Sequence, residues 1–271
     1  MSTDLPATHS RFDPEPEAPA IVLEGLTKVF RKKAAVDGIS LRVARGRFFG
    51  FLGPNGAGKS TTIKMLTGLL RPSAGEAWIE GRRLSEDLLG IKRIIGVVPE
   101  ELALYERLSG EEYLHFAGRM YGLSRTQTRQ RTEELLAFLS LIDERGKLIV
   151  DYSHGMRKKI ALAAALIHNP QVLFLDEPLN GIDPISGRVV SDLLRRLAQK
   201  GVTLFFTTHV LDVVERLCDE VAIIDKGRLV AHGTLDEIRE RREVAHDASL
   251  EDVFLRLVAA DVTRRDLSWI D

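Results

Sequence analysis

The chain has 271 residues, enough for one large domain or two small lobes with a substantial core. Its 38 basic and 39 acidic side chains give a net charge of -1, which favours neither nucleic acid nor anionic lipid as a partner. A single cysteine, Cys218, excludes a disulfide framework and a thiolate metal site. Because residues 1–20 do not resemble a secretory signal and the longest apolar run, 160–167, is far too short to span a membrane, we expect a cytoplasmic protein.

The N-terminal residues have the composition of a disordered segment, and the rest of the chain has the hydrophobic pattern of a folded domain. Residues 1–19 are rich in Pro and Glu, which predicts a disordered tail. From residue 20 onwards, short apolar runs alternate with segments of helical periodicity. The runs predicted to be buried strands are 47–52, 94–98, 172–175, 203–208 and 221–225. Because several of the intervening helices are long enough to be crossovers, the predicted fold class is α/β with a largely parallel central sheet.

A helical subdomain is predicted inside this α/β pattern, at about 101–165. Most of the stretch lacks clear strand signals, and the segments 111–123 and 129–142 have amphipathic helical periodicity. A further helix is predicted to start near Gly155 and to end at 169–170, where Asn precedes Pro. The simplest interpretation is one catalytic unit that carries a helical insertion.

The last third of the chain has clear helix boundaries. Asp183 followed by Pro184 predicts the start of a helix, and Gly201 predicts its end. Capping boxes at 234–237 and 249–252 predict two short helices near the C-terminus. The predicted division is a tail over 1–19, a main domain over 20–242 and a short helical extension over 243–271.

A phosphate-binding loop follows the first predicted buried strand of the parallel sheet. The spacing of Gly53, Gly58, Lys59 and Ser60 matches the Gly-x-x-x-x-Gly-Lys-Ser/Thr pattern, and a helical segment follows it. Its glycines let backbone amides converge on phosphate groups, Lys59 would bridge the β- and γ-phosphates, and Ser60 would ligate Mg²⁺. The predicted nucleotide-binding residues of the loop are Gly53, Pro54, Asn55, Gly56, Ala57, Gly58, Lys59, Ser60 and Thr61. The alternative, a glycine-rich turn before a helix, seldom produces the whole pattern by chance.

A pair of acidic residues ends the strand predicted at 172–175. Asp176 at the carboxyl end of a buried strand is placed to hold Mg²⁺ through water, and Glu177 to orient and deprotonate an attacking water. Alone, such a pair often forms only a turn and a helix cap. In a chain that also carries a phosphate loop, the catalytic interpretation is favoured.

The segment upstream of this strand contains Ser153, His154, Gly155 and Met156, followed by a basic helix start. It resembles the signature loop of ABC ATPases, usually written LSGGQ. If this segment stood alone, a serine helix cap would be the favoured interpretation. Histidine and methionine replace the usual glycine and glutamine. If position 154 requires a positive φ, the histidine is strained.

Other segments resemble further ABC motifs, in the order and with the rough spacing of that family from residue 21 to about 234. Residues 179–184, with Asp183, resemble the D-loop, and His209 resembles the switch histidine. Glu100 stands in the Q-loop position, where most members carry Gln, and Phe30 stands where an aromatic ring usually stacks on adenine. Phe30 could equally be a core residue, and a histidine at a strand end is often structural.

The resemblance to ABC ATPases implies a P-loop NTPase core with an additional N-terminal antiparallel β portion, and ATP with Mg²⁺ as ligands. It implies that Ser60, Asp176 and Glu100 hold the metal and that Glu177 and His209 are catalytic. It also implies that two copies of this chain associate head to tail. In this pair, the segment starting at Ser153 would act on the ATP of the partner.

Two C-terminal segments, 218–238 and 249–258, resemble the ATPase subunits of ABC-2 type exporters, including those of drug resistance. These work with separate polytopic membrane subunits, so we expect a location at the inner face of the membrane and no nucleic-acid partner. The resemblance also implies that the helical insertion, over 101–150, receives a cytoplasmic helix of the membrane subunit. One alternative is an ABC ATPase that acts on ribosomes or DNA, and another is a binding module without catalysis. Glu177 and His209 argue against the last, and the transported substrate cannot be read from this chain.

Overall fold

The computed structural model describes residues 18–241 and 249–258. The predicted tail lies outside these residues except for its last two positions, and the predicted boundary at 242/243 and much of the extension over 243–271 also lie outside them. The described strands are β1 (Pro19–Phe30), β2 (Lys33–Ala44), β3 (Phe48–Leu52), β4 (Ala74–Ile79), β5 (Arg82–Arg83), β6 (Ile95–Val98), β7 (Val172–Asp176), β8 (Thr203–Thr207), β9 (Glu220–Asp225) and β10 (Arg228–Gly233).

These strands form two sheets. The first is antiparallel, with the order β2-β1-β4-β5. The second has the order β10-β9-β3-β8-β7-β6, and all of its neighbours are parallel except β10 and β9. The predicted fold class, an α/β core with a largely parallel sheet and an antiparallel β portion, is therefore confirmed. The five strands predicted from apolar runs are all present, with ends that differ by no more than one residue.

The parallel sheet lies between two apolar layers, which explains its nearly continuous hydrophobic strands. Every residue of β3, β7 and β8 is buried. In β3, Phe49 and Phe51 pack with the antiparallel sheet, whereas Phe48 packs with helices on the other side. Burying each such side chain contributes roughly 1.5–3 kcal/mol relative to leaving it in water.

Helices connect the strands and form a separate layer. The described helices are α1 (Lys59–Leu66), α2 (Leu88–Ile94), α3 (Gly110–Met120), α4 (Arg125–Phe138), α5 (His154–Leu166), α6 (Pro184–Gln199), α7 (Leu211–Leu217), α8 (Leu235–Arg241) and α9 (Leu250–Val258). The predictions for α6 are confirmed, because the Asp183 carboxylate accepts a hydrogen bond from the Ser186 amide and the chain turns at Gly201 with φ +91°. The capping boxes before α8 and α9 also form.

Several predicted helix ends differ from the observed ones by one to four residues, and α3 and α4 also end earlier than predicted. Helix α4 begins before residue 129, because Ser124 and Gln127 form a capping box that the sequence analysis overlooked. Ser109 and Glu112 form another, so that α3 starts at Gly110. Helix α5 ends at Leu166 rather than at 169–170, since Asn169 already has a left-handed backbone with φ +58°.

Candidate nucleotide site

The predicted site residues meet at the carboxyl edge of the parallel sheet. In the middle of this edge, Thr207 at the end of β8 pairs with Phe51 of β3 on one side and with Asp176 of β7 on the other. The phosphate loop follows β3, Glu177 follows β7 and His209 follows β8. The crevice outside the carboxyl ends of parallel strands is where α/β sheets bind their ligands. The fold therefore brings the loop, the acidic pair and the histidine together.

The phosphate loop requires glycine at particular positions. Gly56 and Gly58 have positive φ values of +78° and +113°, a region that residues with a side chain rarely adopt. A Cβ atom on Gly58 would lie 2.5 Å from the Ala35 carbonyl oxygen, and one on Gly53 would lie 2.3 Å from the Ile224 carbonyl oxygen. The loop leads directly into α1, whose first amides have no partner within the helix and favour an anion.

Lys59 is held across the phosphate loop. Its side chain is buried, and its amine donates hydrogen bonds to the carbonyls of Gly53, at 2.7 Å, and Pro54, at 3.2 Å. An ammonium group has three donors, so one remains for a phosphate oxygen. Ser60 is the next residue of α1 and is partly exposed. This geometry suits the predicted roles of both residues.

Asp176 and Glu177 are both buried, and both form hydrogen bonds with Thr207 of β8. The Asp176 carboxylate accepts a 2.5 Å hydrogen bond from the Thr207 hydroxyl. The Glu177 amide lies 3.2 Å from both the carbonyl oxygen and the hydroxyl of Thr207, and donates to them. Glu177 has a left-handed backbone with φ +49°, which costs on the order of 1–3 kcal/mol and is typical of functional sites. Thr207 was not predicted as a site residue, although it begins the Thr-Thr-His segment, 207–209, that ends in the predicted switch histidine.

A histidine completes the arrangement at this edge. The Nδ1 atom of His209 lies 3.0 Å from Oε1 of Glu177. The imidazole is 59% exposed, whereas the Glu177 side chain is 7% exposed. The buried carboxylate therefore has one side toward a ring that solvent or a ligand can reach.

Lys158 is a second site residue that the sequence analysis missed. It lies in α5 with 3% exposure, and its amine donates to the carbonyls of Glu100, at 3.1 Å, and Glu177, at 3.2 Å. Burial lowers the pKa of Lys158, while the negative charges of Glu100, Asp176 and Glu177 act in the opposite direction. The available signal was a lysine among apolar residues of a helix, but a basic helix start usually indicates a solvated face.

The signature-like segment begins α5 and contacts the segment before α6. The hydroxyl of Ser153 accepts a 3.3 Å hydrogen bond from the Met156 amide, and Ser153 and His154 are exposed. His154 is the first helical residue and does not have a positive φ, so histidine is not strained there. Its ring packs against Gly181, where a Cβ atom would lie 2.4 Å from the ring. A Cβ atom on Gly155 would also approach Gly181, at 3.5 Å.

The remaining predicted residues lie at the margins of the site. Phe30 ends β1 with 48% exposure, and the Lys28 amine lies 5.3 Å from its ring centroid, so it is not a core residue. The Glu100 side chain is exposed, and its carbonyl is the one that Lys158 contacts. Backbone and side-chain hydrogen bonds with Ser186 lower the pKa of the Asp183 carboxyl.

An apolar groove lies between the helical layer and the parallel sheet. Its volume is about 1030 Å³, and its lining comes from α2, α3, α5, the segment after α1 and the segment in and after β6. Lys92 and Arg93 of α2 are the charged residues among the described lining. The most exposed apolar side chains that line it are Leu69, Leu89, Tyr105 and Met120. An exposed apolar area of this kind is typical of a surface that binds another protein. Among the helices that the structure describes, none combines the length and apolarity needed to cross a bilayer.

A glycine-rich loop between a buried strand and a helix, beside an acidic strand end, defines a P-loop nucleoside triphosphatase. The family model for ABC transporters matches residues 36–180. The chain is 41% identical over 249 residues to the daunorubicin/doxorubicin resistance ATP-binding protein DrrA of Streptomyces peucetius, covering 90% of this chain and 76% of the relative. The chain therefore belongs to the ABC transporter family, and it is an ATPase.

Solved structures agree with this assignment. A structure described as the ATP-binding subunit of an ABC transporter has a TM-score of 0.83 and 32% identity, and the alignment covers 88% of this chain and 99% of that one. A dimeric bacterial ABC transporter cassette has a TM-score of 0.75 and 25% identity over 79% of this chain and 98% of that one. The predicted resemblance to ABC ATPases of the drug-resistance subgroup is confirmed.

Proposed function

We propose that this chain is the ATP-hydrolysing subunit of an exporter, in which two copies bind two ATP molecules between them and drive separate membrane subunits. The observation that carries the proposal is the buried carboxylate of Glu177, 3.0 Å from His209 and on the same sheet edge as the phosphate loop. At this edge, the phosphate loop can bind the phosphates of a nucleotide close to Glu177, which can activate a water molecule.

ATP would bind along the phosphate loop and the end of β1. The loop from Gly53 to Thr61 would surround the phosphates with amides, and the remaining donor of Lys59 would contact the β- and γ-phosphates. The exposed ring of Phe30 would stack on the adenine. The nearby Lys28 amine adds positive charge beside the nucleotide.

Magnesium fits the oxygen donors of this edge, because Mg²⁺ prefers oxygen ligands and takes few of them from the protein when phosphates are present. The hydroxyl of Ser60 and the carboxylates of Asp176 and Glu100 would hold it. When bound, the ion neutralises charge that develops on the phosphate oxygens.

Glu177 would act as the base that orients water and accepts its proton. The hydrogen bonds from its amide to Thr207 fix its backbone, and burial keeps its carboxylate away from bulk solvent. His209 would hold one carboxylate oxygen by its Nδ1 atom and turn its other ring nitrogen toward the γ-phosphate. The histidine would thus orient the Glu177 carboxylate when a γ-phosphate is bound.

Two copies would associate head to tail, with each ATP between the phosphate loop of one subunit and the Ser153–Met156 segment of the other. Ser153 and His154 are exposed at the N-terminus of α5, where helix amides favour a phosphate. Near the start of α6, Ile185 is 81% exposed, which suits a surface that a second subunit covers. Asp183 would lie at the same interface. A similar cassette is a dimer.

The apolar groove would receive a helix from a membrane subunit, and the chain would then lie at the inner face of the membrane. Apart from Lys92 and Arg93, the described lining carries no charged side chain, which suits a helix better than the phosphate backbone of nucleic acid, which would need a more basic surface. The groove and the net charge of -1 together favour a transporter over an ATPase that acts on ribosomes or DNA.

Glu177→Gln tests the catalytic part of this proposal. The amide cannot accept the proton of the water, so we expect kcat for ATP hydrolysis to fall by about 100- to 10,000-fold. Equilibrium binding of ATP should be retained. Glu134→Gln, an exposed position on α4, is the matched control and should leave turnover unchanged. Hydrolysis that persists in Glu177→Gln would remove Glu177 from the role of base.

The same variant tests the dimer. Because hydrolysis is blocked, Glu177→Gln should form dimers in solution with ATP and Mg²⁺ and remain monomeric without them. Adding Ser153→Arg should prevent association, while adding Thr126→Arg on the exposed side of α4 should not. If the ATP-bound dimer tolerates Ser153→Arg, the head-to-tail arrangement is wrong.

A further inference from the structure

One helix connects three parts of the proposed machinery. The N-terminus of α5 carries Ser153, which would face the partner's ATP. Further along, Ala161, Ala164 and Ala165 line the apolar groove. Between these two regions, the amine of Lys158 contacts the carbonyls of Glu100 and Glu177 at the nucleotide site of the same subunit. Its position raises the question of what a buried cation contributes there.

We propose that Lys158 is a positioning residue, which holds the peptide of Glu177 and the peptide of Glu100 in a fixed relation to each other. This inference rests on the proposed role of Glu177 as base. It adds a residue that does not touch ATP but determines where the base stands and links it to the segment that borders the groove.

The backbone of Glu177 needs such support because its conformation is unfavourable. A glutamate with φ +49° persists only where its surroundings fix it. The amide of Glu177 is fixed by Thr207, and its carbonyl accepts hydrogen bonds from Lys158 at 3.2 Å and from the Asn180 amide at 3.3 Å. The Asn180 bond lies within the same turn, so Lys158 supplies the bond that connects this carbonyl to α5 and to Glu100. Without Lys158, the turn that carries Glu177 can shift as a unit and move the carboxylate away from the attacking water.

The second anchor of Lys158 lies beside the groove. Pro99 directly precedes Glu100 and Leu102 lies two residues after it, and both line the groove. Lys158 contacts the Glu100 carbonyl at 3.1 Å and the Glu177 carbonyl at 3.2 Å, so one ammonium group spans the two segments. A membrane helix that shifts the Glu100 segment would therefore also shift the base.

Charge favours a lysine at this position. The carboxylates of Glu100, Asp176 and Glu177 all act on Lys158 as nearby negative charges. Hydrogen bonds from an ammonium to carbonyl oxygens are stronger than those from a neutral donor. A neutral side chain would hold the two carbonyls less firmly and would leave the three acids without this buried cation.

A series of variants in the full-length chain tests the role through steady-state ATP hydrolysis. Lys158→Met keeps the length of the side chain but removes its donors, and we expect kcat to fall by about 100-fold. Lys158→Gln keeps a neutral donor, and we expect a fall of about 10-fold. In both, KM for ATP should stay within about two-fold, because the bonds of Lys158 go to Glu100 and Glu177 rather than to the nucleotide. Lys147→Gln, an exposed lysine, is the control.

Hydrogen exchange of the same proteins distinguishes positioning from general stability. We expect amide protection to fall together in segments 99–102 and 177–181, while α4 keeps its protection. If Lys158→Met does not fold, Lys158→Gln decides the question, since it leaves the two carbonyls a partner. Unchanged kcat in Lys158→Gln, or a loss of protection spread evenly over the chain, would overturn the inference.

The outcome for Glu177→Gln separates this inference from the proposed function. If Glu177→Gln is inactive and Lys158→Gln is fully active, only the positioning role is wrong. If Glu177→Gln hydrolyses ATP normally, the catalytic proposal fails first, and the positioning role fails with it.

Discussion

The segment around Glu100 borders both the nucleotide site at the carboxyl edge of the parallel sheet and the apolar groove, and these two regions are built in different ways. The edge consists of polar groups from short motifs that follow β3, β7 and β8, each fixed by identifiable hydrogen bonds. The groove consists of apolar side chains from distant parts of the chain, with no motif of its own. This difference indicates that hydrolysis is determined locally, whereas the choice of partner depends on the whole surface.

The largest effect is expected from Lys59→Ala, which removes a cation from the nucleotide edge. Loss of a preorganised donor to the reacting phosphates should lower kcat for ATP hydrolysis by at least about 100-fold. ATP binding should weaken as well. Lys64→Ala, an exposed lysine of the same helix, is the control. Normal turnover in Lys59→Ala would contradict the local account of hydrolysis.

Thr207→Val should have a smaller effect at the same edge. It removes the hydroxyl that donates to Asp176 and accepts from the Glu177 amide, but retains the shape of the side chain. We expect a fall of about 10- to 100-fold in kcat and a loss of about 1–3 kcal/mol in the free energy of unfolding. Thr203→Val, in the same strand, gives a stability control, because it should destabilise the chain without a comparable loss of turnover.

Met120→Glu tests whether the apolar groove acts separately from the nucleotide site. Met120 is 71% exposed in the groove, so a charge there should leave the hydrolysis of the isolated chain within about two-fold. Recovery of a membrane subunit from cells should be lost, because a docked helix would bury that charge. Gln130→Glu on α4 should affect neither. A strong effect of Met120→Glu on basal turnover would show that the two regions are not separable.

The motif-based parts of the fold and the site could be read from the sequence, because they depend on local rules. A run such as 172–175 must be buried on both faces, and the glycines at 56 and 58 reflect a backbone that few other residues adopt. Thr207 and Lys158 were missed because their roles arise only when distant strands and α5 meet. A docking site on the helical insertion was expected, but the residues that form the groove were not predicted, since apolar side chains of this kind look like ordinary core positions.

The smallest effect concerns a boundary that the sequence analysis placed four residues too late. Ser124→Ala removes the cap of α4, and we expect a loss of about 1 kcal/mol and a decrease of about 2–4 °C in Tm. Turnover should be unchanged. Thermal unfolding of this variant beside Thr126→Ala, which makes no capping bond, measures the contribution. An unchanged Tm would show that the capping box does not determine where α4 starts.

The central claim, a motor that acts on a membrane subunit, is tested most directly by isolating the partner. Tagged Glu177→Gln protein would be expressed in its native cell, the membranes solubilised with detergent in the presence of ATP, and the co-purifying proteins identified by mass spectrometry. The account predicts a polytopic membrane protein that is absent when Met120→Glu is added. Recovery with ribosomes or DNA-associated proteins alone would contradict it and leave only the ATPase.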